Sequence, residues 1–263
     1  MKAILSLENG TFGYDANGVF QGLNLQVFQG EILCLLGPNG CGKTTLLQCL
    51  GGFLPLRKGI VSLNSTDITM LSELEIARSI GFIFQSQETP FSYTVLDVVL
   101  MGRAPHIGIF SSPSPEDSIL AEEALSQVGI PHLREKPFTQ ISGGERQLAL
   151  IARALAQEPQ ILLMDEPTSH LDFKNQTMIL QTINRLANQG LAIVMASHFP
   201  DHALLFSQKA VLMKDGAFLA AGLPSEIITD KNLGDLYEMR ISVIETNDPY
   251  TGNPLKVAVP RVV

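Results

Sequence analysis

The chain has no tryptophan, few aromatic residues of any kind (6%) and only three cysteines among its 263 residues. Its core must therefore be aliphatic, as in an ordinary globular domain. Cys34, Cys41 and Cys49 are odd in number and lack metal-ligand spacing, so neither a disulfide framework nor a zinc ribbon is expected. Reduced thiols in a cytosolic protein are the expectation. Long apolar runs are also missing. A membrane helix needs roughly 20 such residues, whereas the longest candidates here, residues 161–164 and 191–196, have the length of buried strands. The opening MKAILSLENG turns polar too soon for a signal peptide. Basic residues are scarce: 18 Lys and Arg against 26 Asp and Glu give a net charge of -8, which argues against a nucleic-acid partner. No internal repeat, low-complexity tract or flexible linker interrupts the chain.

Strand-like patterns fill the first 36 residues, and Ile32–Leu36 is a continuous apolar run of the kind found in a central strand buried on both faces. A Gly-rich turn at 37–42 leads into a helix over 44–50, and residues 60–63 and 80–84 read as further strands. Ser72 and Glu75 have capping-box spacing and predict a short helix between those two strands. From about residue 88 the pattern changes to helices broken by Pro and Gly, over 93–103, 115–128 (Ser114 as N-cap) and 145–157. Strand–helix alternation then resumes with ILLMD at 161–165, a helix at 173–188 and LAIVMAS at 191–197. Lys214-Asp215-Gly216 predicts one hairpin turn, and ISVIET with LKVAVP predicts a C-terminal hairpin. The fold class is α/β, with a mostly parallel sheet whose ligands sit at the carboxyl ends of its strands.

Residues 37–44, GPNGCGKT, match G-x-x-x-x-G-K-[ST] throughout. Gly37, Pro38, Asn39, Gly40, Cys41 and Gly42 would wrap backbone N–H groups around phosphate, and the helix that follows aims its positive end at the same anion. Lys43 would bridge the β- and γ-phosphates and Thr44 would hold Mg²⁺, with Thr45 near the α-phosphate. A chance match arises about once in a hundred chains of this length, and this one stands between a strand and a helix. ILLMDE at 161–166 ends an apolar strand in two acids. Asp165 can reach the metal through water, and Glu166 is placed to orient or deprotonate the attacking water. Because helix N-termini and a nearby Lys lower thiol pKa, Cys41 is expected to be the most reactive of the three thiols.

What narrows this large group of nucleotide-binding chains is ISGGERQ at 141–147. With GPNGCGKT and ILLMDE in this order, the chain resembles the ATP-binding-cassette (ABC) family over nearly its whole length. The family signature is usually LSGGQ; Ile141 and Glu145 depart from it, while Ser142, Gly143 and Gly144 keep it. The resemblance implies an aromatic loop at Tyr14 stacking on adenine, a Mg²⁺-touching glutamine at Gln85, Asp172 of SHLD (169–172) at the subunit seam and a γ-phosphate-contacting switch histidine at His198.

The implied architecture is one ABC domain spanning 1–263. A RecA-like P-loop core with an N-terminal antiparallel β subdomain (1–87 and 156–240) carries an inserted helical signature subdomain (88–155), and 241–263 form a hairpin extension. The implied partners are a second copy, paired head to tail so that each signature faces the other copy's ATP, and a polytopic membrane permease docking in a groove near Gln85. A substrate-binding protein outside the membrane would act indirectly. The implied location is the cytoplasmic face of the inner membrane. VLDVVLMGRAPH at 95–106 resembles cassettes serving siderophores, haem and cobalamin, with an oxyanion such as molybdate as an alternative cargo. The rival is a soluble cassette ATPase of the iron–sulfur assembly type.

Overall fold

The computed structural model describes residues 2–14, 17–84, 93–108 and 111–261. The chain begins with β1 (Leu5–Tyr14), β2 (Asn17–Val27) and β3 (Ile32–Leu36), then α1 (Lys43–Leu50), β4 (Lys58–Leu63), the two-residue β5 (Thr66–Asp67), α2 (Glu73–Ser79) and β6 (Ile80–Ile83). Three helices follow, α3 (Val95–Leu100), α4 (Pro115–Gln127) and α5 (Gly143–Ala156). Alternation resumes with β7 (Ile161–Asp165), α6 (Phe173–Asn188), β8 (Ala192–Ser197), α7 (Pro200–Phe206), β9 (Lys209–Lys214) and β10 (Ala217–Gly222). The chain closes with α8 (Pro224–Ile227), α9 (Asp230–Tyr237), β11 (Ile241–Asn247) and β12 (Pro254–Pro260).

The central sheet has the order β10-β9-β3-β8-β7-β6, parallel except where β10 meets β9. A strand with period two sends alternate side chains to opposite faces, and both faces are covered here. Ile32, Cys34 and Leu36 of β3 join Leu162 and Met164 of β7 and Ile193 and Met195 of β8 in the core against the helices α3–α6. Leu33, Leu35, Ile161, Leu163 and Val194 face the other way, toward α1 and the second sheet. That is why these strands read as unbroken apolar runs. The second sheet, β2-β1-β4-β5, is antiparallel and buries one face, with Leu5, Leu7 and Phe12 against Leu23, Leu25 and Val27. The expected fold class is the observed one.

Two expectations are corrected locally. The helix expected over 93–103 is shorter: α3 ends at Leu100 and the chain tightens into a 3₁₀ helix over Met101–His106. A Cβ on Gly102 would run into the carbonyl oxygen of Arg153, so this segment lies directly on α5. Buried Arg103 donates to Asp117 Oδ1 (2.9 Å), to Ala156 O (2.7 Å) and to Glu158 Oε2 (2.7 Å), and His106 Nε2 lies 3.0 Å from Gln157 O. The MGRAPH run thus staples α4 to the last carbonyls of α5, groups a helix end leaves unpaired. The helix expected from 145 starts instead at Gly143, because Ser142 caps it reciprocally with Glu145.

Candidate functional site

β3 delivers the chain into the Gly-rich turn at the carboxyl edge of the sheet. Gly37 has no room for a side chain, with Cys41 Sγ 2.8 Å from where a Cβ would stand and the Met213 carbonyl closer still. Gly40 and Gly42 take φ of 81° and 108°, conformations that disfavour other residues. Gly42 is also the N-cap of α1, so no side chain caps the helix, and its first turn contains no acid. The first-turn N–H groups and the positive helix end are therefore directed at an outside acceptor. Lys43 is 5% exposed, and its Nζ donates to Gly37 O (2.7 Å) and Pro38 O (3.0 Å).

β7 places Asp165 and Glu166 beside this loop. Asp165 is buried and its Oδ1 has no hydrogen-bond partner among the described residues. Burial pushes its carboxyl above the ordinary range, and the neighbouring Glu166 adds to that; the Thr44 hydroxyl and the Lys43 charge pull it down. An orphaned buried oxygen costs stability unless something satisfies it. Its position next to the Thr44 hydroxyl suits a hard cation with oxygen ligands. Glu166 stands in the left-handed region (φ 48°), which costs a non-glycine residue about 1–2 kcal/mol. That turn brings its Oε1 to 3.7 Å from Lys43 Nζ and 3.5 Å from His198 Nδ1. His198 Nδ1 is itself without a hydrogen-bond partner among the described residues, so a proton acceptor or donor near Glu166 finds the imidazole available.

A cleft of about 430 Å³ is lined by Tyr14, Val19, Asn39, Gly40, Gly42, Lys43, Thr44, Thr45 and Glu166. Tyr14, half exposed, is held edge-on by Phe12 at 5.0 Å. The structure thus gathers the residues expected around a nucleotide, from the aromatic ring to the acid, with Asp165 beneath Thr44 and His198 beside Glu166.

Ser142, Gly143, Gly144 and Asp172 do not line this cleft. They form a second cluster with each other. Asp172 caps α6 by accepting from Asn175 N (2.8 Å), and Asn175 Nδ2 donates back to Asp172 Oδ2 (3.0 Å). The Asn175 amide occupies the space in which a Gly144 side chain would stand, and Leu171 lies 3.4 Å from the equivalent point at Gly143. The seam loop and the signature are therefore packed against each other within a chain. Asn175 is the residue sequence reasoning missed here; its D-x-x-N spacing from Asp172 was the available signal. Ser142 and Gly143 are exposed. Gln85 lies outside the described residues.

Cys41 corrects one part of an expectation: its thiol is raised rather than lowered, while those of Cys34 and Cys49 are raised strongly. Cys41 is buried, and burial pushes its thiol up, with Lys43 and two backbone N–H groups offsetting only part of the rise. Cys34 and Cys49 are pushed up to about 12 by burial. Since the thiolate is the nucleophile, iodoacetamide at pH 8 should leave Cys41 unmodified while a free thiol reacts fully. Peptide mass spectrometry reads this directly, and rapid labelling of Cys41 would show that the thiolate is accessible after all.

The sequence profile described as ABC transporter matches residues 20–169. The molybdate import ATP-binding protein MolC of Haemophilus influenzae is 40% identical over 241 residues, covering 91% of this chain and 90% of that protein. The iron(3+)-hydroxamate import ATP-binding protein FhuC of Bacillus subtilis is 35% identical over 252 residues, covering 95% and 93%. Among solved structures, a chain described as part of a metal-chelate type ABC transporter in an inward-facing conformation superposes with a TM-score of 0.88 at 37% identity, covering 99% of this chain and 98% of that one. Subunits of this kind dimerise and work with membrane permeases, and among the described residues no helix is long and apolar enough to cross a membrane. The chain belongs to the ABC transporter family, as an ATP-binding subunit whose ATP hydrolysis is coupled to transport.

Proposed function

We propose that this chain energises import of a metal chelate through a separate membrane permease, and that the cleft between Tyr14, the phosphate loop and Glu166 is where it binds and hydrolyses MgATP. The observation that carries the site is the convergence of Tyr14, Asn39, Gly40, residues 42–45 and Glu166 on one cleft. Tyr14 would stack on adenine; the N–H groups of the loop and Lys43 would hold the phosphates, Lys43 exchanging the Gly37 and Pro38 carbonyls for phosphate oxygens. Mg²⁺ would be held by Thr44, with Asp165 supplying its unpartnered oxygen and Gln85 contributing from outside the described residues. The ion would neutralise charge on the β- and γ-phosphates. Glu166 would accept a proton from water or orient it, and His198 would contact the γ-phosphate beside it. Ser142, Gly143, Gly144 and Asp172 would complete the site of a second copy.

The helical segment carries a groove of about 530 Å³ lined by Tyr93, Asp97, Leu100, Met101, Ala104 and Ile107 among others. Its lining residue Tyr93 follows residues 85–92 in sequence, and we infer that a cytoplasmic helix of the permease docks there. The chain would then sit on the cytoplasmic face of the inner membrane, with a substrate-binding protein acting only through the permease. Residues 88–155 would be the coupling subdomain and 1–87 with 156–240 the catalytic core.

A metal-chelate cargo is favoured by the FhuC and metal-chelate structural likenesses, the latter over almost the whole of both chains. A second reading, molybdate, is favoured by the 40% identity to MolC. Proteoliposomes holding the chain and its permease separate the two. ATP-dependent uptake of ⁵⁵Fe-hydroxamate is the expected result. Uptake of ⁹⁹Mo-molybdate alone would establish the second reading, and uptake of neither molybdate nor any of hydroxamate, haem and cobalamin would overturn both.

A further inference from the structure

His198 leaves the carboxyl edge of β8 on a short loop, and the peptide plane joining it to Phe199 is gripped at both ends. At the carbonyl end, the Tyr237 hydroxyl of α9 donates to His198 O at 2.8 Å. At the amide end, Phe199 N donates to Ser197 Oγ at 3.1 Å. Ser197 Oγ in turn lies 3.0 Å from Nδ1 of the buried His202 on α7. A hydroxyl has a single proton to donate. Oγ has two lone pairs, so it accepts from Phe199 N and pairs with His202 Nδ1 as donor or acceptor according to the ring's tautomer. The Phe199 ring packs against both imidazoles, 4.0 Å from His198 and 4.9 Å from His202.

We propose that Tyr237 and His202 are positioning residues for His198, fixing the 198–199 peptide plane from its two ends so that the imidazole stays beside Glu166. The proposal rests on the reading of His198 as a γ-phosphate contact. Burial, helped by the nearby His198, pulls the His202 pKa down to about 4, so its ring is neutral at neutral pH and pairs with Ser197 in either tautomer. Burial likewise pushes the Tyr237 phenol up, which keeps it a donor.

The grip is referenced to the phosphate loop. Lys214 Nζ donates to Asp235 O (2.6 Å) and to Glu238 Oε1 (2.8 Å), clamping the last turn of α9 where Tyr237 sits. Two residues after Lys214, Gly216 N donates to Cys41 O in the loop itself (3.3 Å). One chain of contacts thus runs from the phosphate loop through the β9–β10 turn and α9 to the His198 carbonyl. A tyrosine 39 residues beyond the histidine therefore sets the distance between the loop that holds phosphate and the side chain that touches it. Misplacement of a reacting contact by about 1 Å costs up to about a hundredfold in rate, so loss of one grip is expected to cost about tenfold.

The test uses the full-length chain and measures kcat and KM for MgATP, with Tm recorded for each variant. Tyr237→Phe and His202→Ala should each lower kcat about tenfold while KM stays within about twofold. His202→Asn, whose amide offers either a donor or an acceptor at the Nδ1 position, should recover most of the rate. In a His198→Ala background, Tyr237→Phe should add no further loss, because it acts only through the side chain already removed. Native kcat in Tyr237→Phe and His202→Ala, or losses that multiply with that of His198→Ala, would overturn the proposal while leaving the reading of His198 intact. Native kcat in His198→Ala would overturn both, and would be recognised by that variant alone. If Tyr237→Phe lowers Tm, Ser197→Ala cuts the other end of the same plane and is held to the same outcomes.

Discussion

Glu166→Gln should slow MgATP turnover by at least about a hundredfold, the low end of what a positioned general base contributes, while leaving MgATP binding within a few-fold of native. The carboxamide keeps the shape and the hydrogen-bonding reach of the acid but loses its basicity. Glu166 is held in a left-handed conformation (φ 48°), with Lys43 at 3.7 Å and His198 at 3.5 Å. The backbone geometry is unaffected by the substitution, so the acid's chemistry alone is removed. Loss of the carboxylate also withdraws a negative charge from Lys43, which favours binding of an anionic phosphate if it changes binding at all. Single-turnover hydrolysis and equilibrium nucleotide binding, measured on the same preparation, give the two readouts. A variant that hydrolyses at the native rate would remove Glu166 from the proposed role, and one that fails to bind would show that its part is structural.

Much of this site was legible in the sequence because its parts are local. A phosphate cradle is built by eight consecutive residues, so its spacing survives as a string, and the acids follow directly on a strand whose two buried faces leave an unbroken apolar run. The β9–β10 turn was legible for the same reason: Asp215 and Gly216 both take positive φ (47° and 73°), which the Asp-Gly pair permits. The first turn of α5 was within reach too, since Ser142 and Glu145 repeat the spacing of Ser72 and Glu75.

What stayed hidden depends on contacts between distant residues. The passage of α3 into a 3₁₀ helix follows from the approach of Gly102 to the Arg153 carbonyl, 51 residues away in sequence order. The short helices α7, α8 and α9 have too few turns for a clear periodic signal, and the role of Tyr237 exists only once α9 is docked against the loop of His198. The expected lowering of the Cys41 thiol failed for a related reason: the helix end and Lys43 are visible in the string, but burial is not, and burial has the larger influence on that thiol.

Ser142→Asp, placed in the Glu166→Gln background, should abolish the MgATP-dependent dimer that Glu166→Gln alone accumulates. The structure makes this substitution cleaner than a bulky one. Ser142 is the N-cap of α5, accepting from Glu145 N at 3.3 Å while Glu145 Oε2 accepts from Ser142 N at 2.8 Å. A residue that cannot cap would cost about 1 kcal/mol of helix stability and confuse folding with pairing. Asp and Asn cap as well as Ser does, so both should leave α5 in place, and they differ from one another chiefly in charge. Ser142 is also exposed, whereas Gly144 is buried against Asn175, so the signature has one side chain to alter without disturbing the Asp172 cluster. On the proposed head-to-tail pairing, Ser142 of one copy faces the phosphates bound by the other. A carboxylate within about 4 Å of a phosphate charge, at an effective dielectric near 20, is repelled by roughly 4 kcal/mol, or about a thousandfold in association. Light scattering after size exclusion should therefore show a dimer for Glu166→Gln with MgATP but not MgADP, a weakened dimer when Ser142→Asn is added, and monomer only when Ser142→Asp is added. Binding of a fluorescent ATP analogue to the single chain should be unchanged throughout, because Ser142 does not line its own chain's cleft. If the Asp and Asn variants pair equally well, the signature does not meet a partner's nucleotide, and the shared-site reading fails even though the cleft at Lys43 remains a nucleotide site.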